Sequence, residues 1–564
     1  METVNLIGAL LLLGLVAWFL IGTARRRGLR ALAMGTGEER PLPRPAALAL
    51  WGLILALSAL RLWRFGAVPG GFNQDGAMAA VDALALANHG TDRFGTWLPA
   101  HFTAWGYGQM SVLLSYCMAP LFRLFGMSAV TARLPLLLWS FAGMAAAYGL
   151  LRGLVSRRAA LIGLLLLTLN PWHFMQSRWA LDCNLFPHAF LLGLALLWRG
   201  TKKPAALYGA MVFFALCLYS YGVAFLSVPL FLLGASLLLL RGRWVRLRDV
   251  LLCAGLFLAL SFPICGTMLI NALGWETVEL PFVTMPFFPQ SVRSGDLLFF
   301  SPEPFRQLLV NARALWDVGF LQKPDLPWNA IDGFGTLYRC TWPLLVLGLG
   351  VSLARAFRAA DPRRRLGYRL LLLFWLCGIL TGLCVNSVNV NRLNILFYAH
   401  ILFQAVAVHS LVGYKKWSAA PLLLCYGLLA VLFFLNYFGP WAERISHSFY
   451  EDFLEAVTWA GEEDFSSLII TPDVQFDGSR QVSEILTLYA LQIDAEDFRG
   501  EETDAPLPYR ERIRYRNLSP EDLTAPRAGQ AFVLKTRSLP GDLPAGWEWK
   551  DFGDYAVLFY AGGT

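Results

Sequence analysis

Asp75 and Asp182 are the carboxylates placed to do chemistry, and Asp82, Arg178, Asn391 and Arg392 are the groups placed to hold a ligand for it. Asp75 sits in Pro69-Gly-Gly-Phe-Asn-Gln-Asp75-Gly-Ala-Met-Ala-Ala-Val-Asp82. Asn73 is a good N-cap, Ala77 to Asn88 is rich in Ala and Leu, and Gly90 is a natural stop. That places Asp75 in the first turn of a predicted helix, whose N-terminal end favours an ionised carboxylate. A carboxylate held at a membrane–water boundary is suited to taking a proton from an acceptor hydroxyl. Asp82 lies seven residues on, two turns along the same face. On the local motif alone, an acid that only satisfies its own helix terminus is an equal reading.

Two further polar stretches lie between apolar segments. In Asn170-Pro-Trp-His173-Phe-Met-Gln-Ser-Arg178-Trp-Ala-Leu-Asp182-Cys-Asn184, Arg178 and Asp182 are four apart. A continuing helix puts them on one face, either along a substrate path or as an ion pair that anchors the segment end. In Asn386-Ser-Val-Asn389-Val-Asn391-Arg392-Leu-Asn394, four amides surround one guanidinium. That set suits a phosphate or a sugar hydroxyl; the plain alternative is an Asn-rich turn with a snorkelling arginine. The long stretch 272–337 carries Arg293, Arg306, Arg313, Lys323 and a Pro-Trp-Asn-Ala-Ile-Asp-Gly-Phe-Gly run at 327–335, the pattern of a lid or binding segment. His89, His101, His173 and His188 show no paired ligand spacing, so no metal or other cofactor is required by the sequence.

The elements that must position these groups follow from composition. Hydrophobic residues make up 56% and charged residues 15%, and mean hydropathy is +0.51, as for a polytopic membrane protein. Residues 1–439 carry 36 Lys+Arg against 16 Asp+Glu, whereas residues 440–564 carry 11 against 23. The basic residues cluster between apolar segments and not along one face, which argues against nucleic acid. The nine cysteines are scattered through mostly apolar runs and imply neither a metal site nor a disulfide framework.

Twelve apolar segments fall at roughly 5–22, 46–64, 132–151, 159–173, 184–198, 205–220, 222–240, 250–271, 338–354, 368–385, 394–412 and 419–438. Alternate connections hold 24 Lys+Arg, so the positive-inside rule places these in the cytoplasm and the polar motifs outside. Gln109–Phe125 is apolar enough to span, but counting it would invert every later basic loop, so it is predicted as an interfacial helix. The acidic tail has the pattern of a small outside α/β domain, with helices at Glu451–Ala460 and Val482–Leu491, strands at Ser467–Thr471 and Ala531–Lys535, and a closing hairpin within Trp547–Tyr560. The predicted fold class is an all-α polytopic membrane protein with about twelve transmembrane helices and a small extracytoplasmic C-terminal α/β domain. The expected organisation is 1–45 as an extra helix and basic loop, 46–440 as the membrane domain, and 441–564 as the soluble domain.

The acid after the first core segment, the Phe125-Gly-Met-Ser-Ala-Val-Thr-Ala-Arg133-Leu-Pro ending of the first outer loop, and Ser177-Arg178-(three residues)-Asp182 together resemble the GT-C membrane glycosyltransferases. The nearest branch is the bacterial family 39, related to the protein O-mannosyltransferases and the lipid A aminoarabinose transferase. The resemblance covers about residues 46–440, leaving the first helix and the acidic tail outside. It implies a sugar taken from a polyprenyl-phosphate donor and passed to a glycan, lipid or protein acceptor on the outer face of the plasma membrane. It makes Asp75 the general base, matches Arg178 and Asp182 to the second outer motif, and likens Asn391-Arg392 to a run in Gram-positive members. The family often has a second acid beside the first; here position 76 is Gly, which puts a carboxylate pair or metal role there in doubt. The rival expectation is a transporter or flippase of a lipid-linked sugar, which should show repeat symmetry and broken helices at mid-membrane.

Overall fold

The structure is a computed structural model that describes residues 1–27, 43–104, 108–289, 297–463, 465–472, 480–501 and 508–561. Arg293 and most of the Arg25–Arg44 connection lie outside these residues. All twelve apolar segments contain helix. Among the described residues eight helices are long and apolar enough to cross a membrane, from Glu2–Arg27 to Ala419–Tyr437. The other four, Arg44–Ala59, Arg157–Leu169, Phe186–Gly200 and Ala205–Leu218, run 16, 13, 15 and 14 residues. At 1.5 Å per residue they fall short of the ~30 Å hydrocarbon thickness, because breakers interrupt the apolar runs. The Asn170-Pro171 step is one: Asn170 ends the helix before it and caps Pro171–Gln176, accepting from His173 N at 3.0 Å.

The chain divides into two compact units that do not follow sequence order. The first comprises Met1–Phe65, Leu136–Cys265 and Ser291–Phe438. Its centre is Asn394–Tyr414, a mostly apolar helix buried continuously from Asn394 to Val412. Phe190, Phe214, Phe231 and Phe374 interlock nearby with ring centroids 5.1–5.5 Å apart.

The second unit joins Gly66–Pro135, Gly266–Gln290 and Gly439–Thr564, and so cuts across the expected 46–440 span. The Gln74–His89 helix is capped as its sequence requires: Asn73 accepts from Asp75 N, and Gly90 ends it in the left-handed region. Its buried face is mostly alanine, and small side chains let Leu113–Phe125 approach closely enough for Ser115 Oγ to reach Ala79 O at 2.8 Å. The tail carries a five-stranded sheet in the order 513–515, 467–470, 530–535, 555–560, 547–551. The first three strands pair in parallel and the last two close as an antiparallel hairpin. Ile469, Phe532, Leu534, Trp547 and Leu558 form the core on one sheet face.

Candidate active site

In the second unit, the loop that leads to Asp75 is gripped from two directions. Arg133 donates to three backbone carbonyls, Gly66 O at 2.7 Å, Pro69 O at 2.9 Å and Gly71 O at 2.6 Å, and its guanidinium lies over the Phe72 ring. Phe72 stacks on Tyr489 at 4.4 Å, and its N–H donates to Phe449 O at 2.6 Å. Gly71 has φ +67°, and a Cβ there would lie 2.2 Å from Phe449 O, so only glycine permits this approach. Asp75 emerges half-buried on the first helical turn.

Asp82 stays on the same helix but is fully buried. It pairs with Arg93 Nη1 at 2.5 Å and accepts Arg93 N at 3.1 Å, while Arg93 Nη2 reaches Thr103 O at 3.0 Å. Burial outweighs the Arg93 charge and pushes the Asp82 carboxyl up to about 6. Asp82, expected at the substrate, thus lies against the 92–103 loop.

In the first unit, Arg178 and Asp182 do not share a helix face. The helix ends at Gln176, where Ser177 Oγ donates to Phe174 O at 2.7 Å and competes with the helical ladder. Asp182 opens a separate short 3₁₀ turn, half-buried, with its carboxylate accepting Cys183 N at 2.6 Å. Arg178 is fully buried and donates to Leu60 O, Arg61 O, Trp63 O at 2.8 Å, Arg64 O at 3.2 Å and Tyr437 Oη at 3.1 Å. This geometry closes the turn after Arg44–Ala59. Beside it Arg61, also fully buried, bonds Ser177 Oγ at 2.6 Å and His173 O at 2.9 Å.

The Asn-rich stretch is a turn before Asn394–Tyr414, with Asn391 and Arg392 both half-buried. Asn389 Oδ1 accepts Arg392 N at 3.0 Å, and Arg392 Nη1 donates to Asn386 O. Asn394, by contrast, is enclosed, accepting from Trp172 and Gln176 and donating to Cys183 O. Asp325 pins the turn from the 272–337 stretch: its Oδ2 accepts Val390 N at 2.6 Å, and burial raises its carboxyl.

Sequence reasoning missed three features because each joins distant segments. Arg133 was visible only as a motif letter. Two clusters also gather in the second unit, His89 with Asp494 and Glu496, and His447 with Asp452 and Asp554, each compact enough to hold a cation. Both also satisfy themselves as ion pairs, at 2.7 Å for His89–Asp494 and 3.2 Å for His447–Asp554.

With this geometry described, the chain can be set beside known proteins. Residues 109–266 match the family described as dolichyl-phosphate-mannose-protein mannosyltransferase. That family agrees with the GT-C resemblance carried by the Arg133 and Arg178 motifs. No curated protein matches by sequence. Among solved structures, the oligosaccharyltransferase AglB of Archaeoglobus fulgidus, in complex with an inhibitory peptide and a dolichol-phosphate, is 16% identical with a TM-score of 0.47. That match covers 78% of this chain, which spans 63% of the AglB length. ArnT of Cupriavidus metallidurans, bound to undecaprenyl phosphate, is 14% identical with a TM-score of 0.45, covering 92% of this chain and 99% of ArnT.

Proposed function

We propose that this chain is a membrane glycosyltransferase that moves a sugar from a polyprenyl-phosphate carrier to an acceptor hydroxyl at the outer face of the membrane. The observation that carries the reading is the match of residues 109–266 to a family whose donor is a dolichyl-phosphate sugar. Asp75 acts as general base: its carboxylate takes the acceptor proton as the hydroxyl oxygen attacks the anomeric carbon. The bond from that carbon to the phosphate oxygen breaks, and the lipid phosphate leaves with the electron pair. Support for Asp75 comes from its half-exposed place on a capped first turn, whose helix end favours the charged form needed in a base. Arg392 faces the donor phosphate, with Asn391 beside it, because a half-buried guanidinium can grip two phosphate oxygens at once. Asp182, also half-buried, is the second candidate for the base. Arg178 and Asp82 serve by holding backbone in place.

The test is turnover of radiolabelled undecaprenyl-phosphate-linked hexoses and pentoses by the purified protein, read as free undecaprenyl phosphate. Wild type should release it, and Asp75→Asn should lower the rate by roughly 10²-fold or more while thermal unfolding is unchanged. Near-normal release by a folded Asp75→Asn moves the base to Asp182. Movement of intact donor across vesicles without release would replace the reading with a flippase.

A further inference from the structure

Three ligand-bearing side chains of the second unit converge where the helix Pro440–Ser448 gives way to Glu451–Glu462. In one continuous helix His447 and Asp452, five apart, would point about 140° away from each other. Tyr450 prevents that: its left-handed backbone, φ 57° and ψ 33°, breaks the helix and turns Asp452 back toward His447. Asp554 arrives from the turn between strands 547–551 and 555–560. There Gly553 has φ +83°, and a Cβ on it would lie 2.5 Å from Asp452 Oδ2, so only glycine lets the turn close over Asp452. Asp554 N donates to that same Oδ2 at 2.8 Å. As a result one imidazole nitrogen, His447 Nδ1, faces Asp554 Oδ2 at 3.2 Å and Asp452 Oδ2 at 3.8 Å. A single nitrogen carries at most one proton, so it cannot neutralise both carboxylates. Ligand atoms about 2.1 Å from a tetrahedral ion stand about 3.4 Å apart, a value these two separations straddle. The cluster of His89, Asp494 and Glu496 is built differently: Nε2 meets one carboxylate and Nδ1 the other, the pattern of two ion pairs.

A cavity of about 530 Å³ opens beside this cluster, lined by His447, Asp554, Lys535, Arg537 and Tyr450. Tyr450 is 3% exposed, and its hydroxyl has no hydrogen-bond partner among the described residues, which calls for one. We propose that His447 Nδ1, Asp452 Oδ2 and Asp554 Oδ2 bind a divalent transition-metal ion, zinc by the chemistry of the donors. One imidazole with two carboxylates suits zinc better than magnesium or calcium, which take all-oxygen sets. The cavity gives the ion a path in, and its fourth position is left to water or to an anion near Lys535 and Arg537. His447 and Asp452 bracket Phe449, whose carbonyl accepts Phe72 N, so the ion fastens the corner that grips the loop before Asp75.

Zinc ion alone tests the site, titrated calorimetrically into the full-length protein in detergent after stripping with chelator, with no polyhistidine tag. Wild type should show one saturable site per chain. His447→Gln and Asp554→Asn should each weaken it by roughly 100-fold or more, and His89→Gln should leave it unchanged. Both ligand side chains are at least half exposed, so the stripped variants should melt with the wild type. Zinc should then raise the melting temperature of wild type and not that of His447→Gln. Equal zinc affinity in wild type and His447→Gln overturns the proposal, as does a wild type with no saturable site or a site lost only in His89→Gln. Should a ligand variant fail to fold, Asp452→Asn gives the same reading. None of these outcomes touches the Asp75 assignment, which stands or falls on Asp75→Asn.

Discussion

Arg178 in the 170–184 connection is enclosed, with its donors directed at four backbone carbonyls and a tyrosine hydroxyl, whereas Arg392 in the 386–394 turn is half-buried and held from behind by asparagines. The contrast is one of water access. A guanidinium has five N–H donors and no acceptor, so one sealed from water must find protein oxygens for them or leave a large penalty unmet. An enclosed arginine thus becomes a clamp on the backbone, and only a half-open one stays within reach of a ligand. Arg133 falls with the clamps, on the carbonyls of Gly66, Pro69 and Gly71.

The strongest way to break this contrast is at Arg178. Arg178→Lys leaves several buried carbonyls without donors, and a destabilisation on the order of 3 kcal/mol or more is expected, seen as lost folded yield in size-exclusion chromatography. A well-folded Arg178→Lys with weakened donor binding would instead make it the phosphate ligand. Next in size is Arg392→Ala, which should weaken donor-lipid affinity by about 10- to 100-fold, the worth of a charge-assisted hydrogen bond, with the melting temperature nearly unchanged; Arg392→Lys should lie between. Wild-type affinity in both would move the phosphate to the 272–337 stretch.

The smallest effect concerns the enclosed pair Asp82–Arg93. Because the Asp82 carboxyl is raised to about 6 in the folded protein, the folded state binds its proton more tightly than the unfolded chain. Its contribution to stability is present in full below about pH 4 and lost as pH rises through about 6. Melting curves should show wild type losing about 1–2 °C relative to Asp82→Asn across that window. Parallel curves would mean that Arg93 keeps Asp82 ionised throughout.

How much of this was legible in the residues depends on the reach of each signal. Asn73 and Gly90 announce a helix start and stop because capping is local, and the structure places both caps there. The tail strands at 467–470 and 530–535 show as β-branched and aromatic runs, whereas Ile513–Tyr515, three residues with an arginine at the centre, does not. The Arg178–Asp182 helix face fails because Ser177 bonds back to Phe174 and ends the helix, and that choice depends on packing. Whether an arginine is a clamp or a ligand is not local at all. Arg133 and Arg178 meet carbonyls more than sixty residues away, and no spacing rule reports that.

The discontinuity of the second unit also sets a clock for biogenesis. The Gly71 turn closes on Phe449 O, yet 378 residues separate the two in the chain. At a synthesis rate of ~5–20 residues per second, the loop bearing Asp75 waits roughly 20–80 s for its partner to be made. During that interval the membrane helices are being inserted while the Asp75 loop still lacks its contact with Phe449. A chain truncated after Phe438 should insert but leave residues 66–73 open to protease, whereas protection of that loop in the truncated form would show that it closes without the tail.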